Sequence, residues 1–179
     1  FILIGYNIDY YKRWGVVSVE ENFFILPKPI LKRGGCNLSF AGLKTAVLRV
    51  SKKIKKKREK YHLAASFQKT INEILYEKTK VAMEMFLSSK KNNNNTFVIA
   101  GGVASNLSIR ENLVKLSKEK NFEPIFPPTN LCSDNAAMIA WAGIERFKIN
   151  LTDNLEFISR ARWPLDSNAP FMKGAGLKL

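Results

Sequence analysis

The apolar positions of the chain follow two different periods. In the first half they recur at helical spacing, which predicts one helix over about residues 40–57, with Ser39 as its N-cap, and a second over about residues 63–88. Residues 1–30 show no such period, and the prolines among them favour an extended, irregular path. The polar tract 90–95 is typical of a solvated loop.

The second half of the chain alternates short strand patterns with helical ones. Residues 96–100 are rich in residues that favour strands, so we expect a strand there that is buried on both faces, and a second, brief strand is expected at 124–126. A helix is predicted over residues 104–120, and a final helix is predicted to end near residue 148 with Ser133 or Asp134 as its cap. Strand, helix, strand and helix joined by short links predict an α/β fold with a parallel sheet covered by helices.

The net charge of the chain indicates what kind of partner it binds. Lys and Arg number 29 against 15 Asp and Glu, which gives +14 and favours an anionic partner. A run of cations at the end of the first predicted helix supplies the candidate nucleic-acid contacts, namely Lys52, Lys53, Lys55, Lys56, Lys57 and Arg58. A solvated helix end accounts for the same run without a ligand, and both interpretations stay open.

Several kinds of site are excluded by residue counts. The single histidine, His62, rules out the usual Ser–His–Asp triad and a two-histidine metal site, and we expect it to be a surface residue. Cys36 and Cys132 are far apart in the chain and indicate free thiols in a reducing compartment.

The longest apolar stretch is too short for a membrane span, which needs roughly 20 residues. We therefore expect a cytoplasmic protein without membrane contact.

Two short segments could hold a ligand. Gly101 and Gly102 end a buried strand just before a helix, where a ligand can approach the backbone and where Asn106 could hydrogen-bond a sugar or base. A tight turn explains the same glycines without a ligand. Asp134, at the start of the last helix, could bind a metal or orient a nucleotide, or it could simply cap that helix.

Three motifs in order resemble the tRNA N(6)-adenosine threonylcarbamoyltransferase family, formerly called glycoprotease or O-sialoglycoprotein endopeptidase. They are Leu-Ser-Phe-Ala-Gly-Leu-Lys-Thr-Ala-Val at 38–47, Ile-Ala-Gly-Gly-Val-Ala-Ser-Asn at 99–106, and Leu-Cys-Ser-Asp-Asn-Ala-Ala-Met-Ile-Ala at 131–140. Ala-Arg-Trp-Pro-Leu at 161–165 adds a fourth similarity. No nucleophile–base pair supports the older peptidase name.

This resemblance implies the actin-like, sugar-kinase-like (ASKHA) fold, in which two α/β lobes enclose a nucleotide. The chain would be mainly the C-terminal lobe, with helices on a mixed sheet over residues 34–165, after a divergent leader at 1–33 and before a flexible tail at 166–179. The implied reaction moves a threonylcarbamoyl group from threonylcarbamoyl-adenylate to the tRNA adenosine next to the anticodon. The implied partners are an actin-like paralogue and a P-loop ATPase of the bacterial threonylcarbamoylation complex.

The same resemblance assigns roles to individual residues. Asn106, Gly101 and Gly102 would contact the adenylate, and Asp134 would be one ligand of an iron or zinc ion. The family's His-x-x-x-His motif, its first-lobe glycine-rich loop and its Gly-Tyr-Pro-Gly-Gly-Pro segment are not found in this sequence. We therefore expect the C-terminal portion of such an enzyme, with negligible activity alone. The alternative is a non-catalytic actin-like partner or a tRNA-binding scaffold.

Overall fold

The structure is a computed structural model that describes residues 20–89 and 94–158, in two compact units that divide between Asp134 and Asn135. The first unit contains helices α1 (Leu43–Ser51), α2 (Lys57–Ser89) and α3 (Leu107–Glu119), and strands β1 (Thr96–Val98) and β2 (Glu123–Ile125). Two 3₁₀ helices follow the strands, at Gly102–Ser105 and Thr129–Leu131. The second unit contains helix α4 (Ala136–Lys148).

The first predicted helix is shorter than its apolar spacing suggested. Helix α1 starts after Gly42, whose φ of 77° lies in the left-handed region that favours glycine. The Ser39 hydroxyl does not cap α1, because it accepts a hydrogen bond from the backbone N–H of Ala41 (3.3 Å). The helix ends at Ser51, so Ile54 lies in the bend before α2. A continuous helix to residue 57 was therefore a wrong prediction.

Helix α2 is the longest element of the chain and begins earlier than predicted, at Lys57. The carboxylate of Glu59 accepts hydrogen bonds from the backbone N–H groups of Lys55 (3.2 Å) and Lys56 (3.4 Å), two donors that the helix itself leaves unpaired. Local side-chain chemistry thus places the start of α2 six residues ahead of the first strongly apolar position, Leu63.

A segment of turns and bends, residues 20–35, is hydrogen-bonded along α2. The backbone N–H of Glu20 donates to Nδ1 of His62 (2.9 Å), and that of Phe24 donates to the Ser66 hydroxyl (3.1 Å). Further along, the buried Nζ of Lys78 donates to the carbonyl oxygens of residues 33 (2.7 Å) and 35 (3.0 Å). The expectation of a surface histidine was wrong: His62 is buried and its ring stacks on Phe23 at 4.6 Å. The rest of the proposed leader, residues 1–19, lies outside the described residues.

The α/β prediction is confirmed by a β–α–β unit. Strands β1 and β2 are parallel, with Thr96 opposite Glu123 and Val98 opposite Ile125, and α3 connects them. Within the described residues this parallel pair forms the whole sheet, whereas the family resemblance implied a mixed sheet. The first strand is not buried as predicted, because its residues are half-buried or exposed. The core between the helices and this sheet contains Leu26, Leu43, Leu63, Ile71, Met83, Ile109, Leu113, Leu116 and Phe122.

Helix α4 is capped by a residue other than the two predicted. The side-chain oxygen of Asn135 accepts the backbone N–H of Met138 (3.0 Å), so neither Ser133 nor Asp134 is the N-cap. The predicted end near residue 148 is confirmed. None of the helices formed by the described residues is both long and apolar enough to cross a membrane. The proposed tail, residues 166–179, lies beyond the described part of the chain, and the boundaries at 33 and 165 stay predictions.

Candidate functional site

The turn after β1 has a backbone that only glycine adopts readily. After Ile99, whose N–H pairs with the carbonyl of Ile125 (3.0 Å), the chain turns through Gly101 with φ 87° and ψ 170°. The carbonyl of Gly101 then accepts the N–H of Ala104 (2.9 Å), which closes the first 3₁₀ turn. A β-carbon added at Gly101 or Gly102 would meet no atom within 4 Å, so both glycines border open space. A ligand could lie against this backbone, and that role stays a prediction.

Asn106 is a structural residue at the start of α3. It is 2% exposed, its Oδ1 accepts the backbone N–H of Ile109 (3.1 Å), and its Nδ2 donates to Oε1 of Gln68 (2.8 Å). Gln68 in turn donates to Asn72 (3.1 Å), so the cap of α3 is tied into α2. These bonds fix the end of the glycine turn in place. The predicted contact between Asn106 and an adenylate stays a prediction beside this structural role.

The structure adds Arg110, which was not among the residues predicted for the site. Its guanidinium donates to the carbonyl oxygens of Ala104 and Pro127 (2.8 Å for Pro127) and to the sulfur of Cys132 (3.0 Å). The same group lies over the ring of Phe126, 4.8 Å from its centre. Arg110 therefore joins the glycine turn after β1 to the loop after β2.

A signal for Arg110 does exist in the sequence. It stands four residues after Asn106 and so lies on the same side of α3, within the first turns of that helix. A cation at this end of a helix is unfavourable with respect to the helix dipole. Such a residue needs specific acceptors, and here they are two backbone carbonyl oxygens and a sulfur.

The loop after β2 packs against the glycine turn. The 3₁₀ helix Thr129–Leu131 contacts the 3₁₀ helix Gly102–Ser105, and the buried thiol of Cys132 lies 3.5 Å from the carbonyl oxygen of Pro128. Both loops follow the carboxyl ends of parallel strands, the edge at which α/β sheets bind ligands. Asp134 is exposed two residues beyond Cys132 and does not cap α4. Its carboxylate therefore has no capping role that would compete with binding.

The described residues do not form a metal centre by themselves. Over residues 20–89 and 94–158, no group of three or more His, Cys, Asp or Glu side chains comes together in a way that could hold an ion. His62 lies buried on α2, where its Nδ1 already accepts a hydrogen bond. A single exposed carboxylate at Asp134 is too few ligands for iron or zinc.

The basic run occupies a bend rather than one helix. Residues 52–56 lie between α1 and α2, and the two remaining cations, Lys57 and Arg58, open α2. All six side chains proposed as nucleic-acid contacts are exposed. The positive end of the α2 dipole adds to the potential of the lysines at this bend, so phosphate groups would be attracted there. Contact with nucleic acid stays a prediction.

Comparison with known proteins decides the family. The family model described as tRNA N6-adenosine threonylcarbamoyltransferase matches residues 5–141, which include both loops, the basic bend and Asp134. The chain belongs to the tRNA N6-adenosine threonylcarbamoyltransferase family. The match also includes residues 5–33, which form most of the predicted divergent leader.

Curated relatives of this family resemble nearly the whole chain. A tRNA N6-adenosine threonylcarbamoyltransferase of Pelagibacter ubique is 57% identical over 175 residues, which are 98% of this chain and 48% of that protein. Proteins of the same name from Zymomonas mobilis and Rhodospirillum rubrum are 46% and 43% identical, each over 86% of this chain and 41% and 43% of their own length. The chain thus spans about half the length of the curated relatives it matches.

Proposed function

We propose that this chain supplies one lobe of a site in which a threonylcarbamoyl group passes from threonylcarbamoyl-adenylate to the tRNA adenosine next to the anticodon. One observation carries the proposal: the glycine turn at 101–105 and the loop at 127–134 lie together at the carboxyl ends of two parallel strands, in a chain of this family. The actin-like (ASKHA) fold is proposed for the complete protein on the same ground.

The proposed roles divide between backbone and side chains. The adenylate would lie against Gly101 and Gly102, where open space borders the backbone, and Asn106 and Arg110 would hold that turn in one geometry. In the transfer, the adenosine amine bonds to the carbamoyl carbon while the bond from that carbon to the phosphate oxygen breaks. AMP leaves with the electron pair, and the amine nitrogen releases one proton to water. Accurate placement of the two reactants is the contribution expected of such a lobe.

Two further roles rest on the family alone. Asp134 is proposed as one ligand of an iron or zinc ion whose other ligands are not among the described residues, and no step of the transfer is assigned to that ion. The basic bend is proposed to contact tRNA phosphates, with a cytoplasmic setting. An actin-like paralogue and a P-loop ATPase are the proposed protein partners.

Transfer to unmodified tRNA tests the proposal. The chain, threonylcarbamoyl-adenylate and tRNA are incubated, and the modified adenosine is measured, first with the chain alone and then with the unmatched half of the Pelagibacter relative joined in front of it. We expect negligible transfer from the chain alone and measurable transfer from the joined protein. In the joined protein, Asp134→Ala should abolish transfer and Lys118→Ala, an exposed matched control, should not. Transfer by the chain alone would contradict the proposal of an incomplete site.

A tRNA-binding scaffold is the second candidate, and the exposure of the basic bend favours it. Amino-acid substitutions distinguish the transferase from the scaffold. Neutralising Lys52, Lys53 and Lys55 should weaken tRNA binding and its salt dependence under both. Only the transferase also requires Asp134. If Asp134→Ala in the joined protein left modification unchanged, the scaffold would be the better assignment.

A further inference from the structure

Helix α4 exposes a continuous apolar surface. Its first nine residues, 136–144, contain no charged side chain, the indole N–H of Trp141 is their one strong side-chain hydrogen-bond donor, and none of the residues of α4 is buried. Trp141 is 64% exposed and Phe147 is 72% exposed. Other large apolar side chains exposed in the same unit are Met138, Ile139, Ile144, Ile149, Leu151, Leu155, Phe157 and Ile158.

The apolar residues of α4 surround the helix instead of forming one stripe. At 100° per residue, Met138, Ile139 and Trp141 point in three different directions, and Ile144 and Phe147 fill the side between Ile139 and Trp141. A helix that is apolar all round is typical of the interior of a large domain rather than of its surface. A partner that merely touches one face would therefore leave apolar surface in water.

Charged side chains are confined to the last turn of α4. Glu145 pairs with Lys148 (2.9 Å) and Arg146 pairs with Asp153 (3.3 Å). This arrangement marks the carboxyl end of the helix as the end that meets water. The apolar part, from Ala136 to Ile144, is the part that another protein surface must shield from water.

We propose that α4 is an interior helix, enclosed by an apolar surface of the half of the family fold that this chain does not match. More than half of the Pelagibacter relative lies outside the matched region, which is enough chain to enclose a helix of 13 residues. The family match runs into α4, to residue 141, so this helix belongs to the shared fold. The inference rests on family membership and not on the proposed transfer reaction.

A second copy of this chain is a less suitable partner for covering α4. Each copy carries a net charge of +14, so association of two copies brings strongly like charges together. An isologous contact through one helix would also cover only the facing side of each α4. The unmatched half of the family fold has neither difficulty.

Hydrogen exchange measures directly whether α4 is enclosed. The full chain alone is compared with a single polypeptide in which the unmatched half of the Pelagibacter relative precedes it. We expect the amides of α4 to exchange at least about 100-fold more slowly in the joined protein, because an enclosed helix opens only with its surroundings. Equal exchange in the two proteins would overturn the proposal. Protection of α4 in the chain alone would also overturn it, by showing that another surface of the same chain or a second copy covers the helix.

Association in trans gives an independent test. The chain and the unmatched half are co-expressed as separate polypeptides, and complex formation is followed by size-exclusion chromatography with light scattering. We expect a one-to-one complex that is weakened about 100-fold or more by Ile144→Glu, whereas Leu48→Glu, at an exposed apolar position of α1, leaves it intact. A complex that tolerates Ile144→Glu as well as Leu48→Glu would refute the enclosure of α4. Both readouts are independent of catalysis, so loss of transfer alone would not affect them.

Discussion

Replacing Arg110 by methionine tests whether one side chain holds the two loops together. The substitution keeps much of the apolar stem and removes the guanidinium. It deletes the hydrogen bonds to the carbonyl oxygens of Ala104 and Pro127 and to the sulfur of Cys132, together with the contact over the Phe126 ring. Arg110 is thus a side chain of α3 that hydrogen-bonds directly to both loops.

The loss of stability caused by Arg110→Met can be estimated from these contacts. A hydrogen bond from a charged donor contributes about 1.5–3 kcal/mol, and the buried carbonyl of Ala104 is the acceptor that water replaces least well. The cation over Phe126 adds about 0.5–1 kcal/mol at a partly exposed site. Because the Pro127 carbonyl can be solvated after the substitution, we expect Arg110→Met to lower the free energy of unfolding by about 2–4 kcal/mol. Arg110→Lys should recover less than half, since an ammonium cannot reach all of these acceptors.

Urea unfolding followed by circular dichroism measures the change. Lys115→Met, at an exposed position on the same helix, is the matched control and should change stability by less than about 0.5 kcal/mol. Hydrogen exchange should also show faster opening in residues 101–105 and 127–132 of Arg110→Met, and not in α2. A cost below about 0.5 kcal/mol for Arg110→Met, or full recovery by lysine, would refute the reasoning.

Three further predictions concern neighbouring parts of the first unit. Gly101→Ala should cost about 1–3 kcal/mol of backbone strain in urea unfolding, whereas Gly102→Ala, where φ is not positive, should cost much less. Asn106→Ala should cost about 1–3 kcal/mol, because it removes the cap of α3 and leaves a buried amide oxygen without its donor. The hydrogen bond from Lys120 lowers the pKa of Glu84, so its stabilisation is present above the ordinary carboxyl pKa and is lost as the pH falls through the lowered value. Glu84→Gln should therefore lower the melting temperature slightly at pH 7, and not once the pH lies well below the lowered pKa of Glu84.

Local signals made much of the fold predictable from sequence. Strand patterns around Phe97 and Ile125, the glycines between strand and helix, and the apolar spacing of α3 are all encoded within a few residues. The positions of these elements are confirmed to within a few residues, although β1 is partly exposed and not buried as predicted. The α/β class follows from their order along the chain.

The predictions that failed depend on contacts that spacing does not encode. The apolar period continued through Ile54, but the helix stops at Ser51 and Glu59 starts a new one by bonding to the backbone behind it. His62 is buried because residues 20–24 run along α2, a pairing across 42 residues of sequence. Asn135 caps α4 although Asp134 is an equally suitable residue type, because the cap depends on which residue adopts extended backbone.

The two polar residues near the start of α3 give the candidate site its shape. Asn106 fixes the end of the glycine turn and connects it to Gln68 on α2, while Arg110, one helical turn later, holds the loop that leads to Asp134. A displacement of α3 along its axis would therefore move both loops together instead of separating them. Since Gln68 is linked to Asn106 but belongs to α2, a change at Gln68 should alter the site through the position of Asn106. The geometry at the carboxyl edge of the sheet is thus set by contacts between helices as much as by the strands themselves.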